Sequence, residues 1–446
     1  MPSLGPMSEG ATLRRLEQLG PDNMTPGLER IRTLLDGLRN PQQRYPTAIV
    51  AGTNGKGSTT AMLAAIGLAA GLRVGSYSSP HLHDLEERFQ VDGHPISPNG
   101  LQAHLGGVFT AVDTLVARGR LKQSPSYFEI LTAVAFRYFA EARVDLAVLE
   151  VGLGGRLDAT NVTKPRVAVI TPIALDHTDW LGDDIAKIAE EKFAVAPAGG
   201  VAVVAPQPPA VTEIIDQCAK ERAISLLRAT DFPLEVREVD SRLRHTFDLE
   251  ARMRSYSGLQ LALAGSHQVE NARCAVLAAE ALDRRRLRIS SGAIWAGLRS
   301  ASIAGRCEWF DMAPPILLDG AHNPDAAIAL TGYLDRLRDA NQFRRLHLIF
   351  GALDDKDIVG MASLLYPRAD TLITTRPPSS RSPAAEELLA AGPAPDTAVA
   401  VSDPADALAR ARELADDGDL ICVTGSIYLL GQLRPLLAGP DVESAH

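Results

Sequence analysis

The sequence predicts an α/β fold built from two doubly wound, largely parallel sheets. Three observations predict it. Short β-rich apolar runs alternate with longer helical patterns almost throughout, 446 residues exceed one ordinary core, and the alternation lapses once, between Leu234 and Leu263. Hydrophobic residues make up 46% and charged residues 22%, enough apolar material for sizeable cores and enough charge for solubility.

The first series begins at Thr47 to Ala51, a run that reads as a buried strand. A glycine-rich turn follows, and then Thr59 to Ala70, apolar all round as a helix under a sheet is. RVGSYS near Arg73, VDLAVLEV from Val144 and RVAVIT from Arg166 are three further strands. The shorter segments HTFDLEAR and GLQLALAG, within 234–264, read as a small antiparallel insertion or edge, after which helix resumes at His267. Residues 305–312 read as a linker between a first domain over 1–304 and a second over 313–446. In the second, ILLDG, RLHLIF, DTLITT, TAVAV and DLICVTG make five strands with intervening helices.

Composition narrows the partners. A formal net charge of -9 provides no broad basic surface, which argues against a nucleic-acid partner. Cys218, Cys274, Cys307 and Cys422 lie too far apart for a dense disulfide framework or a paired-ligand zinc site and read as free thiols. The start, MPSLGPMSEG, lacks a basic flank and apolar run, and no stretch reaches the roughly 18 apolar residues of a spanning helix. The expectation is a cytoplasmic monomer with no membrane partner.

Gly52, Thr53, Asn54, Gly55, Lys56, Gly57 and Ser58 join the first strand to its helix. Such a turn aims backbone N–H groups at phosphate oxygens, and the helix start adds favourable partial charge. Thr53 to Ser58 are therefore candidate ATP contacts, with Lys56 neutralising the outer phosphates and Ser58 reaching a phosphate or Mg²⁺. Val50 stands at the first glycine position of the general phosphate-loop pattern, and Gly57 separates Lys56 from the hydroxyl. The alternative is a βα turn that binds nothing. With this loop the fold class becomes a P-loop-type doubly wound ATPase domain followed by a smaller Rossmann-like α/β domain.

Phosphate transfer needs hard oxygen ligands for Mg²⁺ at strand ends beside that loop. Glu150 ends VDLAVLE and precedes the glycine-rich turn VGLGGRLDATN. RVAVIT is followed by Asp176, His177 and Asp179, and His177 offers a neutral nitrogen to a metal. Lys192, in IAEEKFAV, reads most simply as a helix-surface lysine.

GTNGKGS at 52–58, SSPHL at 78–82, YFEILTAVAF at 127–136, LEVGLGGRLDATN at 149–161, DHTDWLG at 176–182, GSHQVENA at 265–272 and DGAHNP at 319–324 occur in one order. Together they resemble the folylpolyglutamate synthase and dihydrofolate synthase family, from Thr25 to Leu437. The resemblance implies that Ser79, Glu150 and His177 hold Mg²⁺ and that Lys192 is the lysine that becomes carbamylated, which requires a depressed pKa. It implies nucleotide contacts for Asn271, Arg306 and Asp319, and a catalytic or phosphate-positioning role for His322. Phe128 and Asp158 are implied near the folate or dihydropteroate pocket. SSPHL in place of TSPHL is a conservative departure, whereas HDLEERF leaves the local substrate contacts open.

The activity implied is ATP-dependent joining of L-glutamate to a folate or dihydropteroate carboxylate through an acyl phosphate. Two rivals remain: a Mur-type ligase acting on a peptidoglycan precursor, and a nucleotide-binding switch. GKGS, SPHL and the lack of an evident uridine-nucleotide domain argue against the former; amine-dependent turnover would separate the latter.

Overall fold

The computed structural model describes residues 10–20, 26–176, 180 and 182–438. The first sheet contains β1 (Thr47–Ala51), β2 (Val74–Tyr77), β3 (Phe89–Val91), β4 (His94–Pro95), β5 (Leu146–Glu150), β6 (Val167–Ile170), β7 (Val201–Val204) and β8 (Ser225–Arg228). Their order is β4-β3-β2-β5-β1-β6-β7-β8. From β2 to β8 the pairing is parallel, and β3 and β4 extend the edge antiparallel. Every residue of β1, β5 and β6 is buried, which is why these strands read as unbroken apolar runs. One face is covered by helices that include Pro98–Ala117 and Tyr127–Ala142, the other by Lys56–Ala69, Ser266–Leu282 and Ser291–Ser300.

The interruption in the pattern is an antiparallel sheet of β9 (Leu234–Val239), β10 (Arg244–Glu250) and β11 (Ser255–Ala264). Phe247, Leu249, Tyr256, Leu259 and Leu261 point from it into the core shared with Ser266–Leu282, leaving alternate residues to solvent.

The second sheet has β12 (Glu308–Phe310), β13 (Ile316–Leu318), β14 (Leu346–Phe350), β15 (Thr371–Thr374), β16 (Val399–Ala400) and β17 (Leu420–Thr424), in the order β12-β13-β17-β14-β15-β16. All five strands expected after the linker are present and parallel. The stretch 305–312 is not pure linker, because β12 lies within it and pairs antiparallel with β13. Three residues are too few to show a two-residue alternation, so only the pairing reveals the strand. The short β3 and β4 escaped the sequence reading for the same reason, and β7 and β8 were not picked out.

The carboxyl ends of β2, β5, β1 and β6 lie side by side and carry, in that order, Ser79, Glu150, the turn 52–58 and the segment running to Asp176. The carboxyl ends of β13 and β14 carry Asp319 to His322 and the segment running to Lys356. The two edges meet. All four cysteines are free thiols, and among the described residues no helix is long and apolar enough to cross a membrane.

Candidate active site between the two carboxyl edges

Gly52 leaves β1 at φ 146°, where a Cβ would stand 2.0 Å from Thr171 Oγ1, so no other residue makes this turn without displacing β6. Gly55, at φ 84°, passes beneath Asn271, whose Oδ1 would lie 2.4 Å from a Cβ. Thr53 and Asn54 donate their backbone N–H groups to Pro172 O at 2.9 and 3.3 Å. The Thr53 hydroxyl donates to Ala174 O and accepts from Ala174 N, both at 3.0 Å. These bonds pin the loop to the end of β6. The N–H groups of Thr53 and Asn54, expected at the phosphates, therefore shape the loop instead. The donors that remain belong to the first turn of Lys56–Ala69, which carries no side-chain cap.

Lys56 Nζ donates to Gly52 O at 3.1 Å and Thr53 O at 2.9 Å. Lys192 Nζ donates to the same Gly52 carbonyl at 3.0 Å. Lys192 is 4% exposed, so the expected helix-surface lysine is a buried one, carried into the cleft by the inward face of Ile185–Phe193. Burial, and then the charge of Lys56, bring its pKa down to about 7. Burial lowers Lys56 as well, opposed by Glu150 and Asp176.

Glu150 Oε2 accepts the Ser79 N–H at 3.2 Å, and burial raises this carboxyl's pKa against the pull of Lys56. Beside it Ser79 Oγ is buried without a hydrogen-bond partner among the described residues. A carboxylate and an unpartnered hydroxyl are hard oxygen donors that suit a divalent cation. His177, the third expected ligand, lies outside the described residues.

Ser58 Oγ accepts from Gln268 Nε2 at 3.2 Å, and Gln268 Oε1 accepts from Asn271 Nδ2 at 3.0 Å. Gln268 thus joins Asn271 to the loop, a role the sequence reading missed although the two share a helix face. Asp158 is a turn builder: Oδ2 takes the Gly152 and Leu153 N–H groups at 3.0 and 3.1 Å, and Oδ1 takes Thr160 N at 2.8 Å and Thr160 Oγ1 at 2.5 Å. Phe128 packs under the same turn, 2.6 Å from where a Gly152 Cβ would stand.

Across the cleft, Asp319 accepts from Cys307 N at 2.9 Å and Ala321 N at 3.0 Å. Arg306 Nη1 donates to Gly320 O at 3.0 Å. His322 Nδ1 lies 2.9 Å from the same carbonyl, which can only accept, so Nδ1 carries the proton and Nε2 a lone pair. Burial lowers the His322 pKa to about 4. A neutral ring in this tautomer has no Nε2 proton to give a phosphate, which counts against the phosphate-positioning role expected of it.

The seam is polar. Asn54 and Asn323 exchange amide hydrogen bonds at 3.2 and 3.0 Å, and Asn323 Oδ1 also caps Pro324–Asp339 through Ala326 N at 2.9 Å. Asp176 accepts from Lys356 Nζ at 3.1 Å and Asn323 Nδ2 at 3.4 Å. Asn323 and Lys356 were missed. The cap pattern at 323–326 was legible; nothing local marks Lys356, whose partner lies 180 positions away.

Residues 305–427 match the Mur ligase, glutamate ligase domain, and residues 99–279 match the Mur ligase middle domain. A dihydrofolate synthase/folylpolyglutamate synthase of Mycobacterium tuberculosis is 37% identical over 455 residues, covering 94% of this chain and 92% of that protein. The chain belongs to the dihydrofolate synthase/folylpolyglutamate synthase family of the Mur ligases. The synthase is also similar to the crystal structure of Mycobacterium tuberculosis folylpolyglutamate synthase complexed with ADP and AMPPCP. The TM-score is 0.88 at 36% identity, over 97% of this chain and 99% of that one. A bifunctional folylpolyglutamate synthase/dihydrofolate synthase, solved with Mn, AMPPNP and L-glutamate bound, matches with a TM-score of 0.80 at 33% identity, over 95% of this chain and 97% of that one.

Proposed function

We propose that this synthase, an ATP-dependent ligase that joins L-glutamate to a folate carboxylate, works through an acyl phosphate formed over the turn 52–58. The observation that carries this is the convergence of Lys56 and Lys192 on Gly52 O beside an uncapped helix start, with Glu150 and the unpartnered Ser79 hydroxyl at the neighbouring strand ends. A carboxylate oxygen is too poor a leaving group for direct attack by an amine. In the first step a folate or dihydropteroate carboxylate oxygen bonds to the γ-phosphorus, the bond to the β-phosphate oxygen breaks, and ADP departs. In the second the deprotonated glutamate amine attacks the carbonyl carbon and inorganic phosphate leaves with the original carboxylate oxygen. Lys56, released from the Gly52 and Thr53 carbonyls, and the first-turn N–H groups stabilise the phosphoryl oxygens.

Ser79 and Glu150 fit a divalent cation, for which we assign Mg²⁺, with His177 added on the family resemblance; when bound, the cation neutralises charge on the nucleotide's phosphate oxygens. The Lys192 pKa of about 7 supports carbamylation, in which Nζ adds to CO₂ and loses a proton. An anionic carbamate beside Lys56 replaces repulsion with attraction. We assign Gln268, Asn271, Arg306 and Asp319 to the nucleotide side and Phe128 with the Asp158 turn to the folate side. His322 Nε2 is suited to accept an N–H of the incoming glutamate.

We take 1–304 and 313–446 as the two domains, and the enzyme as a cytoplasmic monomer without nucleic-acid or membrane partners, a reading supported by the net charge of -9 and by the lack, among the described residues, of a helix long and apolar enough to cross a membrane. The test is phosphate release with ATP, L-glutamate and either dihydropteroate or tetrahydrofolate. Release that depends on glutamate is expected with at least one of them; nucleotide hydrolysis indifferent to glutamate contradicts the assignment.

A further inference from the structure

A second cavity, of about 470 Å³, opens at the other edge of the first sheet. Val201 and Ser225, which begin β7 and β8, lie on it, so it sits at the opposite end of the strands from the turn 52–58. Leu227 and Leu277 give it apolar walls. Arg252 and Arg284 stand exposed on its rim, and neither has a hydrogen-bond or ion-pair partner among the described residues. The adjacent acids, by contrast, are committed. Glu280 takes Met253 N at 2.8 Å and the Tyr256 hydroxyl at 3.0 Å, and Asp283 takes Arg254 Nη2 at 2.6 Å and Ile289 N at 2.9 Å. The cavity therefore offers apolar surface and two arginines without an ion-pair partner among the described residues, set against the single lining carboxylate of Glu280, whose oxygens are turned to Met253 N and the Tyr256 hydroxyl.

Its position gives it a route to the active site. One helix, Ser266–Leu282, lines the cavity with Leu277 and Ala281, while its first turns hold Gln268 against Ser58 and Asn271 over Gly55. At about 1.5 Å per residue those two sets of contacts are roughly 9–20 Å apart along a single element buried on nearly every face. A ligand held by Arg252 and Arg284 would therefore touch the far end of the helix whose first turns close over the nucleotide turn.

We propose that this cavity is an effector site for a small organic anion. A carboxylate or phosphate sits between Arg252 and Arg284, an apolar body lies against Leu227 and Leu277, and Ser266–Leu282 transmits occupancy to the nucleotide turn. The size suits a ligand of cofactor-fragment dimensions.

Phenyl phosphate, titrated calorimetrically into the full-length chain with and without AMPPNP and Mg²⁺, tests the proposal. One saturable site is expected in both conditions, with dissociation constants that differ by about fivefold or more, the same factor by which phenyl phosphate changes AMPPNP affinity. In R252Q/R284Q, verified by an unchanged melting temperature, phenyl phosphate binding weakens by about tenfold or more while AMPPNP binding alone stays as in the wild type. Inorganic phosphate, lacking the apolar body, binds more weakly than phenyl phosphate. No binding, displacement by AMPPNP, equal affinities with and without AMPPNP, binding unaltered in R252Q/R284Q, or equal affinity for inorganic phosphate overturns the proposal. These binding measurements read the cavity independently of acyl phosphate chemistry.

Discussion

The turn 52–58 and the segment 319–323 face one another across the cleft but are built on opposite plans. In the turn, two glycines and a few bonds to Pro172 and Ala174 fix the backbone, and the first-turn N–H groups of Lys56–Ala69 stay uncapped. On the facing segment the polar groups are already engaged: Asp319 by two N–H groups, and Arg306 and His322 by the Gly320 carbonyl. What it presents to the turn is Asn323, held as a helix cap. On the proposed function, one side is a receptor for anionic charge and the other a template that sets the register of the receptor.

If that contrast holds, damage to the receptor side should remove chemistry and spare the fold. Lys56→Ala is expected to lower glutamate-dependent phosphate release by about 10²–10³-fold or more, with a melting temperature near the wild type, since the half-buried ammonium bonds only to the carbonyls of its own loop. Retention of activity within about tenfold would break the assignment.

Glu150→Gln should cost about 10²-fold and flatten the response to divalent cations. Its stability has a definite sign. Burial raises the Glu150 pKa, so the folded state holds its proton to higher pH than the unfolded state, and stability falls as pH rises between the two values. Without metal, the Gln variant should therefore melt above the wild type at neutral pH, and the gap should close below the ordinary carboxyl range; a gap of the opposite sign counts against the buried charge.

Lys192 gives a smaller, pH-graded effect. With its pKa at about 7, the neutral amine fraction falls about tenfold per pH unit below that value, so stimulation by bicarbonate should fade from pH 8 to pH 6. The folded state binds fewer protons here than the unfolded one, so burying Lys192 carries a stability cost that is relieved as pH rises between about 7 and its ordinary value, by at most about 1.4 kcal/mol per unit. Lys192→Met should lack both dependences; pH-independent bicarbonate stimulation of the wild type would contradict the shifted amine.

The template side predicts the mildest loss. Asn54→Ala breaks only the amide pair and should lower kcat by about tenfold with near-normal melting, whereas Asn323→Ala also loses the helix cap and about 1 kcal/mol of stability. Equal stability of the two variants would show that the cap is not what distinguishes them.

The same contrast explains what the sequence disclosed. The central strands of both sheets, the antiparallel insertion and the glycine turn at 52–58 were legible because their signals are local: apolar runs, clustered glycines, and a lysine at a helix start; the short β3, β4 and β12 carry no such signal. Lys192 was read as a surface residue because nothing near it announces that its helix face turns into the cleft. Lys356 and Gln268 depend on partners 180 and 210 positions away, and the His322 tautomer depends on a carbonyl whose direction only the fold defines. Asp158 was expected near the folate pocket on the family resemblance alone, and its four acceptor bonds show a turn builder.

Isotope transfer tests the central claim most directly. With the reacting carboxylate of dihydropteroate or tetrahydrofolate labelled with ¹⁸O, an acyl phosphate formed over the turn 52–58 requires one labelled oxygen to appear in each inorganic phosphate released during turnover with glutamate. Phosphate that emerges unlabelled while the amide product accumulates would contradict it.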